Sequence, residues 1–194
     1  MTPSLAKACF VALLVGWYII RFPYARRSRR MPVMRSVRDS RENALLLASL
    51  TGIGIVPFLY IVSGFPRFGE YRFSPFQAWL GVFAALASLV IFQLSHRALG
   101  RHWSISLDVR QHHVLVTSGI YSYVRHPMYL AFWLWAAAQA LLLPNWVGGF
   151  AGVLGFGILF FGRVAREEQM MIETFGDEYR SYMSRTYRVV PLLY

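Results

Sequence analysis

The chain is poor in the residues that staple or solubilise a small domain. Cys9 is its only cysteine, which excludes a disulfide scaffold. It has 9 acids against 20 basic residues, and only 15% of it is charged, where a soluble domain carries roughly 25%. Lysine is nearly missing: apart from Lys7, every basic residue is arginine. Apolar residues fill the space, at 56% of 194 positions with a positive mean hydropathy. Disorder and collagen-like fibres are thereby excluded. The length fits one domain, and the composition fits a membrane protein.

Position decides what the +11 formal charge is for. No charged residue occurs between Glu42 and Arg67, between Arg72 and Arg97, or between Arg125 and Arg163. A membrane-crossing helix needs about 20 apolar residues. The first two gaps hold one span each, 44–62 and 76–94. The third gap has 37 residues, broken by Pro144-Asn145, and predicts a helical hairpin of two shorter spans, 128–143 and 146–162. A further span, 5–20, lies between Lys7 and Arg21, whose long side chains can snorkel to the interfaces. A cleaved signal peptide is the rival reading of 5–20. No small-residue cleavage site follows it, and the arginine block 21–41 resists translocation, so an uncleaved anchor is expected.

The predicted fold class is therefore all-α and integral to the membrane, with five transmembrane helices, the fourth and fifth a helical hairpin, and cytosolic segments that the family resemblance given below implies are cofactor-binding. With the N-terminus outside, segments 21–43, 95–127 and 163–194 face the cytosol and carry 17 of the 20 basic residues. Eight of the nine acids fall there too. Any chemistry is thus cytosolic. Residues 1–194 read as a single membrane domain: 1–94 with three spans and the Arg-rich loop, and 95–194 as a catalytic half. Nucleic acid is not an expected partner, because no basic soluble module remains to bind it. Gly148 and Gly152 give a small-xxx-small spacing read as tight packing within the hairpin.

Two cytosolic stretches carry chemistry. In the first, Pro127 suits the first position of a helix, and His126 before it is pushed out of helical conformation. The N–H groups that follow form a candidate anion site, with Tyr121, Tyr123 and Tyr129 nearby. Ordinary interfacial aromatic composition explains the tyrosines equally well. In the second, Arg163 and Glu167 share a helix face at i,i+4, either as a surface ion pair or as a site at the membrane exit. Gly176 reads as a helix C-terminal cap and Asp177 as the cap of the next helix, with Tyr179, Tyr182 and Met183 on its buried face. A metal is not expected, since the five histidines lack i,i+3 or i,i+4 spacing and no cysteine pair exists. No nucleophile elbow supports a hydrolase.

His113-Val114-Leu115-Val116, Gly119, Tyr121, Arg125-His126-Pro127-x-Tyr129, Arg163-x-x-x-Glu167-Glu168 and Phe175-Gly176-x-x-Tyr179-x-x-Tyr182 resemble the isoprenylcysteine carboxyl methyltransferases. The resemblance is specific over about residues 100–194. Phospholipid methyltransferases share parts of it. It implies S-adenosyl-L-methionine as cofactor, with S-adenosyl-L-homocysteine as product, and a lipid-modified acceptor whose carboxylate is methylated at the cytosolic face. His113, Val114, Leu115, Val116, Tyr121, His126, Pro127, Tyr129 and Glu167 match cofactor-binding positions. Arg163 matches the substrate-positioning arginine, which with Glu167 forms the implied catalytic pair. Glu168 matches a second acid of unspecified role. An amine N-methyltransferase and a non-catalytic multi-spanning protein remain the alternatives. The implied partners are the bilayer and a lipidated small-molecule or protein C-terminal acceptor.

Overall fold

A computed structural model describes residues 1–28, 39–100 and 114–191, together with the backbone of 33–36 and 108–110. Seven α-helices dominate the described residues: α1 Pro3–Ser28, α2 Ser40–Leu50, α3 Val56–Ser63, α4 Pro75–Leu99, α5 Pro127–Leu142, α6 Trp146–Phe175 and α7 Asp177–Arg185. One departure from the all-α expectation is a short antiparallel ribbon, β1 Val33–Ser36 on β2 Asp108–Arg110. It ties the segment after α1 to the one after α4.

Four stretches are long and apolar enough to cross a membrane: Pro3–Ser28, Ser40–Ser63, Pro75–Leu99 and Trp146–Phe175. α5 is apolar but has only 16 residues, about 24 Å of helix against a hydrocarbon core of about 30 Å. By length and composition four stretches therefore qualify as spans, and α5 falls short of that measure. α6 has the opposite proportion. Its 30 residues reach about 45 Å, so Arg163–Glu168 ride on a rigid continuation of the apolar rod.

Small residues set how closely the rods approach. Ala78, Gly81, Ala85 and Ser88 line the buried face of α4. A Cβ on Gly81 would lie 2.8 Å from Leu142, and the Ser88 hydroxyl donates to the Ala131 carbonyl at 2.7 Å. The glycines of α6 divide between two neighbours. Gly149 and Gly152 meet α5, at the Leu143 carbonyl and the Gln139 amide. Gly148, Gly155 and Gly162, seven residues apart, meet Tyr60, Ala48 with Gly52, and Leu45. The Gly148/Gly152 pairing expected within the hairpin is therefore half right: Gly148 serves the α3 contact.

α2 and α3 form one rod joined by a π-helical turn, Thr51–Ile55. Fully buried Gln139 satisfies the polar backbone there, donating to the carbonyls of Gly52 at 3.0 Å and Gly148 at 2.8 Å.

The connections separate into two ends. At one, Tyr71 donates to the Ala140 carbonyl at 2.7 Å and Asn145 to the Pro66 carbonyl at 2.6 Å. Lys7 rests 4.3 Å from the Tyr60 ring centroid. The other end gathers 39–42, 114–126 and 163–190. Lys7 and Arg21 are thus held on aromatic rings, the latter 5.0 Å from Trp17.

Candidate active site

α2 and α6 meet as antiparallel rods with charged rungs. Asp39 caps α2, accepting from the Glu42 N–H at 2.8 Å, and pairs with Arg166 at 2.8 Å. That guanidinium, helped by the Glu42 amide, holds the Asp39 carboxyl down at about 2. One turn inward, Glu42 lies 3.1 Å from Arg163 Nη1. This pair is out of water: Glu42 is 0% exposed and Arg163 8%. The expected Arg163–Glu167 pair also exists, at a looser 3.9 Å. Among the described residues Arg163 is therefore flanked by two carboxylates, the nearer of which local spacing does not disclose.

The RHP segment is fixed by the C-terminal tail. The N–H groups of Arg125 and His126 donate to the carbonyls of Tyr187 and Arg188 at 2.8 and 2.9 Å, and the Tyr187 N–H returns a bond to Tyr123 at 3.2 Å. Glu168 binds the two segments together. Its Oε1 meets Arg125 Nε at 3.1 Å and His126 Nε2 at 3.3 Å, and its Oε2 accepts from Arg188 Nη2 at 2.7 Å. With so many donors on a buried carboxylate, Glu168 organises its neighbours. His126 has the non-helical backbone expected before Pro127, at φ −125° and ψ 60°. The anion site expected at the start of α5 does not form as drawn, because the N–H groups of Tyr129 and Leu130 both donate to the His126 carbonyl.

Glu167 faces a different set. The Tyr129 hydroxyl donates to its Oε2, and His126 Nδ1 lies 3.9 Å from its Oε1. The His126 and Tyr129 rings stack at 5.3 Å. His126 thus stands between the two acids, one at each ring nitrogen. On α7, Tyr179 and Tyr182 are buried as expected, and Tyr182 donates to the Tyr121 carbonyl at 2.6 Å. Burial pushes the Tyr182 phenol up to about 12 against the pull of Arg125. Burial, followed by the Glu167 charge, raises Tyr121 well above the phenol range. Both remain neutral donors at any working pH. Gly176 ends α6 at φ 57°, its N–H bonded to Ile172 at 2.8 Å. Asp177 does not cap α7: Gly176 holds that position, and Asp177 pairs with Arg180 in the first turn.

A cavity of about 640 Å³ opens at this end. Val114, Leu115, Val116, Tyr121, His126, Tyr129, Arg163 and Glu167 all line it, so residues spread over 54 positions of sequence share one wall. Pro127 starts α5 behind that wall and does not line it. His113 lies outside the described residues. The cavity runs on between the rods, past Trp17, Leu50, Ile53, Phe132, Trp135 and Phe156. From Met128 to Trp135 it follows α5 for about 10 Å. Its mouth is polar and its far arm apolar.

Sequence reasoning missed Glu42, Arg188 and the Met170–Met171 lining. Glu42 and Arg188 act on residues 121 and 20 positions away, a range no helix periodicity reaches. The Met170–Met171 pair carries no charge or motif to mark it.

Several known proteins resemble the chain. It is 40% identical over 81 residues to the protein-S-isoprenylcysteine O-methyltransferase of Schizosaccharomyces pombe, covering 42% of this chain and 34% of that one. The Dictyostelium discoideum protein of the same name is 28% identical over 119 residues, 58% of this chain and 48% of the relative. The human one is 35% identical over 81 residues, 42% and 28% of the two chains. The match thus spans less than half of each of these relatives. A model of the isoprenylcysteine carboxyl methyltransferase (ICMT) family matches residues 77–173, from the first turn of α4 through Glu167 and Glu168 on α6. With half of its length described by that one model, the chain belongs to the isoprenylcysteine carboxyl methyltransferase family.

Proposed function

We propose that the chain transfers a methyl group from S-adenosyl-L-methionine to the carboxylate of an isoprenylcysteine-like acceptor at the cytosolic membrane interface. One observation carries this reading: a single cavity joins a charged mouth to an apolar arm between the rods, with Arg163 in its wall. When bound, the cofactor supplies a methyl sulfonium. The residues present suit such a cation. Glu167, held by Tyr129, offers a carboxylate, and the rings of Tyr121 and Tyr129 offer π faces. Val114, Leu115, Val116 and Pro127, with His113, take cofactor-binding roles by family resemblance.

A carboxylate is ionised near neutral pH and needs no strong base. The protein's task is to align acceptor and donor while excluding water. Arg163 does this by charge-assisted hydrogen bonds to the acceptor, whose lipid tail occupies the apolar arm. The proposed topology is five crossings with α5 as a short fourth, N-terminus outside and C-terminus cytosolic. The gathering of 39–42, 114–126 and 163–190 at one end supports it.

The test is incubation of purified protein with methyl-labelled S-adenosylmethionine and N-acetyl-S-farnesylcysteine, reading base-labile methyl ester. Transfer is expected, and so is a calorimetric heat with S-adenosylhomocysteine. Cofactor binding without ester formation would reject this acceptor; absence of both would reject the enzyme. A second reading, methylation of an amine headgroup, is favoured by one feature: Glu42 and Glu167 outnumber the Arg163 charge they flank. Its product would be stable to base.

A further inference from the structure

Glu42 sits in the first turn of α2, fully buried, and does not line the cavity. Among the described residues no hydrogen-bond donor is aligned on its carboxylate, and Arg163 is its counter-ion at 3.1 Å. A buried ion pair is seldom the most stable way to fill a helix seam, since apolar side chains of similar size usually do as well or better. Stability alone therefore gives little reason for a carboxylate here. Its surroundings are nonetheless rigid. Arg41 donates to the Gly162 carbonyl at 3.1 Å, Asp39 pairs with Arg166, and Leu45 fills the space over Gly162. Each of these contacts locks the start of α2 to α6 within a turn of Arg163.

We infer that Glu42 is a positioning residue for the acceptor site. Its fixed carboxylate holds the Arg163 guanidinium in the cavity wall, with Glu167 on the other side, so an incoming carboxylate meets a pre-oriented fork. The guanidinium is planar, and anchoring one nitrogen sets the direction of the others. The inference rests on the reading of Arg163 as the acceptor's grip.

The experiment is steady-state methylation of N-acetyl-S-farnesylcysteine by the detergent-purified protein, alongside calorimetry with S-adenosylhomocysteine. Glu42→Gln keeps the shape and removes the charge. It is expected to raise acceptor KM about tenfold, the effect of weakening one charged hydrogen bond, while cofactor affinity stays within about twofold. Glu42→Asp, which withdraws the carboxylate by one methylene, is expected to give an intermediate KM. Wild-type acceptor KM in folded Glu42→Gln overturns the inference. So does an equal loss of cofactor affinity and acceptor KM, which marks general loosening of the seam. If Glu42→Gln fails to fold, Glu42→Asp decides: a raised acceptor KM supports positioning, and an unchanged one overturns it. Arg163→Gln separates the two levels. Wild-type acceptor KM there removes the arginine's role and the inference with it. A raised KM in Arg163→Gln, beside an unchanged one in Glu42→Gln, removes the inference alone.

Discussion

At the scale of single residues, two neighbouring acids do different work. Glu167 lines the cavity and is oriented by the Tyr129 hydroxyl. Glu167→Ala is expected to weaken S-adenosylhomocysteine binding in calorimetry about ten- to a hundredfold, and Tyr129→Phe by less, since it removes only the orienting bond. Unchanged affinity in Glu167→Ala would remove it from the cofactor site. Glu168 instead collects Arg125, His126 and Arg188. Removing one partner of a buried charge cluster costs about 3–5 kcal/mol. Glu168→Ala is therefore expected to lower the unfolding midpoint in mixed micelles before any kinetic effect can be read. Asp39→Asn keeps the cap and loses only the exposed pair with Arg166, so it should lower the midpoint by far less than Glu168→Ala does. Arg163 and Glu167 were legible in the sequence because they share a face within one helix. Glu42 was not, because a lone acid at the edge of an apolar run looks like a solvated helix start until another rod covers it.

At the scale of elements, the seam between α2 and α6 is set by backbone approach. A Cβ on Gly155 would lie 2.4 Å from the Ala48 carbonyl oxygen, whereas one on Gly157 meets only the tip of Trp133 at 3.4 Å. Gly155→Ala is expected to push the rods apart at a cost of about 1–3 kcal/mol. Because Glu42 and Arg163 face each other across that seam, acceptor turnover should fall too. Gly157→Ala serves as the tolerated control, and equal midpoints for the two would contradict the close approach. The tail is a second such element. A stop after Arg185 removes the carbonyls that receive the N–H groups of Arg125 and His126, along with Arg188. Loss of measurable cofactor binding is expected, with retained binding as the contrary result. Neither the tail's pairing nor the π-helical turn could be read from the chain. The first depends on a partner about 60 positions away, and the second differs from ordinary helix by one residue of register.

At the scale of the whole molecule, the uncharged gaps placed the rods well, and among the described residues 39–42, 114–126 and 163–190 gather at one end. The length of α1 was underread, since Arg21, Arg26 and Arg27 continue its helix to Ser28. In a Cys9→Ala background, a cysteine at Ser184 is expected to react only with reagents that reach the cytosol, and one at Phe68 with impermeant external ones. The reverse pattern would invert the molecule. The cavity's apolar arm has a consequence for how such a protein must be assayed. An acceptor that enters along α5 and α6 arrives by lateral diffusion in two dimensions, having already partitioned into the lipid. What it presents to Arg163 is then a mole fraction in the film, not a molarity in the tube. At fixed bulk acceptor, added inert lipid should slow turnover by surface dilution, while the dependence on the water-soluble cofactor stays where it was.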